Sequence, residues 1–173
     1  MIIGVPCEVK ADEHRVALLP SAAYQLTQRG HRVLVETGAG LGSGYPDTDY
    51  TDAGAVLSKN PDDLFHEAEL IVKVKEPQPE EVQRLQSGQM LFTYLHLAPS
   101  PQLTQSLIDR KCTAIAYETI EIQGRLPLLE PMSEIAGRMS VIVGGYFLAK
   151  HHGGSGILLG GVPGVLPGKV VVL

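Results

Sequence analysis

The chain has 173 residues, 44% of them hydrophobic and 19% charged, with a formal net charge of −5. That is enough apolar material for one domain and part of another around a real core. The acidic balance, with no Lys/Arg cluster beyond the pairs Arg110–Lys111 and Arg29–Arg32, excludes an extended nucleic-acid surface.

The opening "MIIGV" reads as a strand, and "PSAAYQLTQRG" as a helix with Ser21 as N-cap and Gly30 just past its end. "HRVLVET" is the second strand, and "GAGLGSGYPD" is loop. Short polar helices around Asp49–Gly54 and at Asp62–Glu67 precede the apolar "LIVKV". After "KEPQP", a helix over Glu80–Gln86 leads to the strand "MLFTYL". "PQLTQSLIDRK" is a helix and "TAIAYE" a strand. Strands alternating with short helices predict an α/β fold: a largely parallel sheet, Rossmann-like or flavodoxin-like, flanked by helices.

The composition changes in the connector "LPLLEPM". The spacing beyond it predicts a helix of about five turns, "SEIAGRMSVIVGGYFLAKHHGG". Glu134 stands in its first turn, Lys150, His151 and His152 in its last, and Gly153 supplies the stop. The boundary expected here divides the chain into residues 1–130 and 131–173. The final "KVVVL" has the pattern of a strand buried on both faces.

The stretch "MIIGVPCEVK" does not read as a secretory signal, and the longest apolar run, Met139–Ala149, is far short of the ~20 residues of a membrane helix. A cytoplasmic location is the expectation. Cys7 and Cys112 stand alone, without metal-ligand spacing, which fits a reducing compartment and no metal.

Two glycine clusters invite a nucleotide reading. "GAGLGSG", Gly38–Gly44, follows a strand but does not match G-x-G-x-x-G and opens no helix, so a surface loop is the better reading. "GVLPGK" has three residues between its glycines where a P-loop has four, and it precedes a strand where a P-loop follows one.

Stronger candidates stand at strand ends, where open parallel sheets collect ligands. Arg15 follows the first strand, Lys75 follows "LIVKV", and His96 follows "MLFTYL". A guanidinium grips a carboxylate through two hydrogen bonds, an ammonium polarises a carbonyl, and an imidazole moves protons near neutrality. That set suits a small carboxylate-bearing substrate. From position alone each residue has an ordinary explanation. Arg15 is a solvated loop charge, Lys75 alternates with Lys73 on an edge strand facing water, and His96 is a structural histidine. Glu118, also at a strand end, is a weaker candidate.

The segments "IGVPCEVKADEHRVALLP", "GHRVLVETGAGLGSGY", "IVKVKEPQPEE", "LFTYLHLA", "AIAYETI", "PLLEPMSEIAGRMS" and "GILLGGVPGVLPGKVVVL" resemble, in order and spacing, the alanine dehydrogenase family. The related transhydrogenase α-subunit shares the early pattern but is not similar at "VKVKEP" and "YLHLA". The resemblance covers the whole chain. It implies an NAD-dependent oxidoreductase interconverting L-alanine with pyruvate and ammonium, in two domains and mostly as hexamers. Arg15 matches the family's carboxylate-binding residue, Lys75 the lysine beside the substrate carbonyl, and His96 the acid–base histidine. Met132 and Ser133 match a segment meeting the nicotinamide end of the cofactor. "KVVVL" resembles the first strand of the cofactor domain, just before its glycine-rich turn. The resemblance therefore implies a substrate domain, an interdomain helix and the first strand of an incomplete dinucleotide-binding domain. Such a chain is expected to be inactive alone. The alternatives are a non-catalytic binding or assembly module, a remnant, or a transhydrogenase α-subunit-like domain.

Overall fold

A computed structural model describes residues 1–171. The chain forms two compact units, Met1–Ile120 and the residues from Glu121 onward.

The first unit holds six strands: β1 (Ile2–Val5), β2 (Arg32–Glu36), β3 (Val56–Ser58), β4 (Leu70–Val72), β5 (Met90–Thr93) and β6 (Thr113–Ala116). All pair in parallel, in the order β3-β2-β1-β4-β5-β6. This is the doubly wound Rossmann order, and the chain reverses its winding between β1 and β4. The register pairs Ile3 with Val33 on one side and with Leu70 on the other.

Five helices of this unit cross between strands: α1 (Pro20–Gln28), α2 (Asp47–Asp52), α3 (Pro61–Glu67), α4 (Pro79–Arg84) and α5 (Pro101–Arg110). Successive residues of β2 point to opposite faces, and each face is covered. Val33 and Val35 join Val5, Ala23 and Tyr50 in one core, while Leu34 joins Leu64, Phe65, Ile71, Leu91 and Leu107 in the other. Gly4 lets α3 approach β1 closely: a Cβ there would lie 2.8 Å from Leu64 Cδ2 and 2.9 Å from the Ala68 Cβ.

Several expected boundaries shift for local reasons. Pro20, with its fixed φ and missing N–H, takes the first turn of α1, so Leu19 and not Ser21 stands at the N-cap. The side chain of Asn60 caps α3, and that of Ser100 caps α5. β3 was absent from the sequence reading, because a three-residue edge strand is too short for its alternation to register.

The second unit is built on α6 (Glu130–Leu148). Glu130, not Glu134, is the acid of its first turn, and Met132 and Ser133 also fall there. Lys150–His152 form a separate 3₁₀ turn beyond the helix, stopped by Gly153 at φ 81°. The expected terminal strand is not formed at Val170 and Val171, which are exposed and unpaired in any ladder; its last two residues lie outside the described residues.

Candidate functional site

At the C-terminal ends of the parallel strands, carboxylates from one strand end hold the backbone of the next. Glu36, ending β2, accepts the N–H of Cys7 beyond β1 at 2.8 Å. Glu8, beyond β1, accepts the N–H groups of Val74 at 2.6 Å and Lys75 at 3.3 Å, beyond β4. Glu118, beyond β6, accepts the N–H groups of Leu95 at 3.2 Å and His96 at 2.7 Å, beyond β5. Backbone donors that the ladder no longer satisfies are thus paired with acceptors. The loops carrying Lys75 and His96 are tied to their neighbours, with Glu8 spanning the reversal point between β1 and β4.

Glu8 is itself held by Lys73, whose ammonium lies 3.1 Å from Glu8 and 2.7 Å from Glu81 of α4, all three side chains being buried. This overturns the reading of Lys73 as a water-facing charge. β4 is a central strand, and Lys73 lies on the inward side of its end. The signal for it was the apolar neighbourhood of Ile71, Val72 and Val74.

Arg15 lies in the loop after β1. Its Nε donates to Glu13 Oε1 at 2.8 Å and its second guanidinium nitrogen to Glu13 Oε2 at 2.5 Å, a two-bond fork. The hydrogen bond from Arg15, with a smaller contribution from the charge of Lys75, lowers the Glu13 carboxyl to about 2. The Glu13 carboxylate in turn holds the Arg15 guanidinium above its ordinary value. Lys75 also bears on Glu76, which pairs with Lys10.

His96 sits differently. It is exposed, with φ 49°, a left-handed backbone made tenable by the Glu118 acceptor. It borders a cavity of ≈ 580 Å³ between α4 and α5. Arg15 borders a smaller cleft of ≈ 160 Å³ with Cys7, Glu8, Glu13 and Gly42. Tyr94 donates its N–H to the Val74 carbonyl at 3.2 Å. It also packs edge-on against Tyr117 at 4.9 Å. Arg15 and Glu8 line one cleft, Glu8 also accepts the Lys75 N–H, and His96 stands beyond the adjoining strand β5. Met132 and Ser133 belong to the second unit. Among the described residues no group of three or more His, Cys, Asp or Glu side chains could hold a metal ion.

Sequence reasoning missed Glu8, Glu13 and Glu81. Nothing in their local spacing distinguishes them from surface acids, and only the topology shows that they converge.

The fold and this rim define a doubly wound α/β domain with cationic groups at its reversal point, the place where such sheets bind small anionic ligands or nucleotides. Comparison with known proteins narrows the class. The family described as "Alanine dehydrogenase/PNT, N-terminal domain" matches residues 4–136, and "Alanine dehydrogenase/PNT, C-terminal domain" matches residues 140–173. The chain belongs to the alanine dehydrogenase/PNT family. Alanine dehydrogenases of Methanococcus maripaludis and Bacillus subtilis are 53% and 56% identical across the whole chain, which spans 47% and 46% of their lengths. A solved L-alanine dehydrogenase structure superposes with a TM-score of 0.87 at 53% identity, covering 97% of this chain and 46% of that one. A transhydrogenase from Sinorhizobium meliloti is more distant, with a TM-score of 0.66 and 29% identity over 70% of this chain and 34% of that one. The chain spans about half the length of the curated relatives it matches.

Proposed function

We propose that this chain is the substrate-domain portion of an NAD-dependent alanine dehydrogenase, in which L-alanine, NAD and water give pyruvate, ammonium, NADH and a proton. The observation that carries the reading is that Arg15 lines one cleft with Glu8, which also accepts the N–H of Lys75 at 3.3 Å across the β1–β4 reversal. A guanidinium and an ammonium carried beyond neighbouring strands suit a small 2-oxo or 2-amino acid. The named relatives supply the choice of alanine and pyruvate.

In this reading Arg15 grips the substrate carboxylate through paired N–H···O bonds. Lys75 donates to the carbonyl oxygen and draws electron density from the carbon that ammonia attacks. His96 takes a proton from the added nitrogen and returns one to the departing hydroxyl, so water leaves as the imine forms. Bound NAD(H) supplies the hydride. The described residues do not build a site for that cofactor. Gly161 and Gly164 serve a turn closed by the Val162–Val165 bridge, and no strand at Val170–Val171 leads into a phosphate-binding turn. Within this chain Met132 and Ser133 are the residues assigned to face the nicotinamide. The same reading takes residues 1–130 as the substrate domain and 131–173 as the start of the cofactor domain. It also gives a cytoplasmic, hexameric protein at the relatives' full length.

For the 173-residue chain the proposal is substrate binding without turnover. Titrating isotopically labelled protein with pyruvate is expected to shift resonances at residues 8, 13–16, 73–76 and 94–97, and Arg15→Gln to abolish the shifts. Absence of localised shifts at tens of millimolar pyruvate, or NADH oxidation by this chain alone, would count against it.

A further inference from the structure

The glycine loop Gly38–Gly44, which resembles a nucleotide motif and fails its pattern, makes contacts that point elsewhere. Its serine brackets Arg15. The Ser43 hydroxyl accepts the N–H of Val16 at 3.1 Å and donates to the carbonyl of His14 at 3.3 Å, the residues on either side of Arg15. Next to it, Gly42 lies so close to the same segment that a Cβ would fall 2.4 Å from the His14 carbonyl oxygen and 3.0 Å from its Cβ. Backbone cannot retreat from such a contact without moving the loop that carries Arg15.

The loop is anchored from behind. The N–H of Gly38 donates to Asp47 at 2.8 Å, and that of Tyr45 to the Gly40 carbonyl at 3.0 Å. A Cβ on Gly40 would meet Tyr45 O and the Tyr50 ring, each at 2.6 Å. Tyr50 is fully buried, and its hydroxyl donates to the Leu18 carbonyl at 2.8 Å, downstream of Arg15. One tyrosine thus backs the glycine loop and also holds the far side of the arginine segment. Gly42 shares the small cleft of Arg15, Glu13 and Glu8.

We infer that Ser43 and Gly42 are positioning residues that set the Arg15 guanidinium for carboxylate recognition, and that the glycine cluster exists to permit this close seat and binds no phosphate. The inference rests on the reading of Arg15 as the carboxylate-binding residue.

The test uses the whole chain with Ser43→Ala, Ser43→Thr and Gly42→Ala, and Gly137→Ala as control. Gly137 lies in α6 with nothing within 4 Å of its would-be Cβ. The first readout needs no ligand: hydrogen exchange at Arg15 Nε–H, which reports the fork to Glu13. Loss of two hydrogen bonds beside Arg15 in Ser43→Ala is expected to speed this exchange roughly tenfold. Gly42→Ala should do the same, while Ser43→Thr and Gly137→Ala retain the native rate. The second readout compares pyruvate with uncharged pyruvamide. Ser43→Ala and Gly42→Ala should raise the pyruvate Kd about tenfold and leave pyruvamide unchanged, because only the carboxylate uses Arg15. Native exchange in both Ser43→Ala and Gly42→Ala, or failure of Ser43→Thr to restore it, overturns the inference. If the native chain binds no pyruvate, the substrate reading falls, and the exchange measurement still decides the seat.

Discussion

Lys73 and Glu8 form a buried ion pair at 3.1 Å, with side-chain exposures of 1% and 3%. Glu81 Oε1 lies 2.7 Å from the same ammonium but off the hydrogen-bonding direction, so it contributes charge more than a directed bond. Removing one member of such a cluster leaves an uncompensated buried charge, which costs far more than the intact cluster contributes. Lys73→Met strands two buried carboxylates and is expected to destabilise the protein by about 3–5 kcal/mol. Glu8→Gln keeps an acceptor for the Val74 N–H and leaves Glu81 opposite Lys73, so about 1–2 kcal/mol is expected. Urea titration of both variants checks the order. Equal stability of Lys73→Met and the native chain would rule the cluster out.

The Arg15–Glu13 fork makes a pH prediction. The hydrogen bond from Arg15 brings the Glu13 carboxyl to about 2, below its ordinary value near 4.5. A carboxyl depressed by folding contributes stability that is complete above its unfolded value and is lost as pH falls through its folded value. The contribution should therefore be constant above about pH 5 and disappear between there and about pH 2. Carboxyl ¹³C shifts of Glu13 followed against pH should give a midpoint near about 2. In Arg15→Gln the midpoint should return toward the ordinary carboxylate range. An unchanged midpoint in that variant would show that another group depresses Glu13.

The same fork marks where sequence reasoning stops. Alternating strands and helices carry a period that can be read locally, so the parallel sheet apart from its edge strand β3, and the six α-helices of the described residues, were legible. Arg15, Lys75 and His96 were legible as strand-end residues of the right chemistry. The acids that hold them were not. Glu8 meets Lys73 65 residues away along the chain, and Glu118 reaches His96 across 22. Such contacts follow from strand order, and no local pattern encodes strand order. Gly42 and Ser43 were read as loop for the same reason, since a close approach to His14 shows only once β1 and β2 lie side by side.

Cys7 is expected to be slow toward alkylating reagents. Burial first, and then the negative charge of Glu36, push its thiol up to about 11, and its Sγ lies 3.6 Å from the Thr37 carbonyl. The thiolate is the nucleophile, so at pH 8 the reactive fraction should be roughly a hundredfold below that of an ordinary cysteine. Iodoacetamide kinetics on Cys112→Ser protein, which isolates Cys7, should rise steeply only above pH 10. Fast labelling at pH 8 would mean that the loop after β1 opens readily.

The last prediction concerns α6. Among the described residues every buried apolar residue lies at or before Leu107, and α6 has none. Ile135, Ile142, Tyr146 and Phe147 of that helix are each more than half exposed. An apolar face of this kind favours association. The segment before the helix is also open to proteases: Gln123 and Gly124 have positive φ, and Arg125 is 74% exposed although it pairs with Glu130. Brief trypsin treatment is expected to cut first at Arg125 and to leave a resistant fragment carrying all six strands. Its Tm should stay within a few degrees of the intact chain, because both cores lie inside residues 1–120. Ile142→Glu with Phe147→Glu should lower concentration-dependent self-association in sedimentation without changing that fragment. A tail that resists trypsin as well as the sheet does, and keeps resisting when both glutamates are present, would mean that α6 is protected by something other than its apolar face.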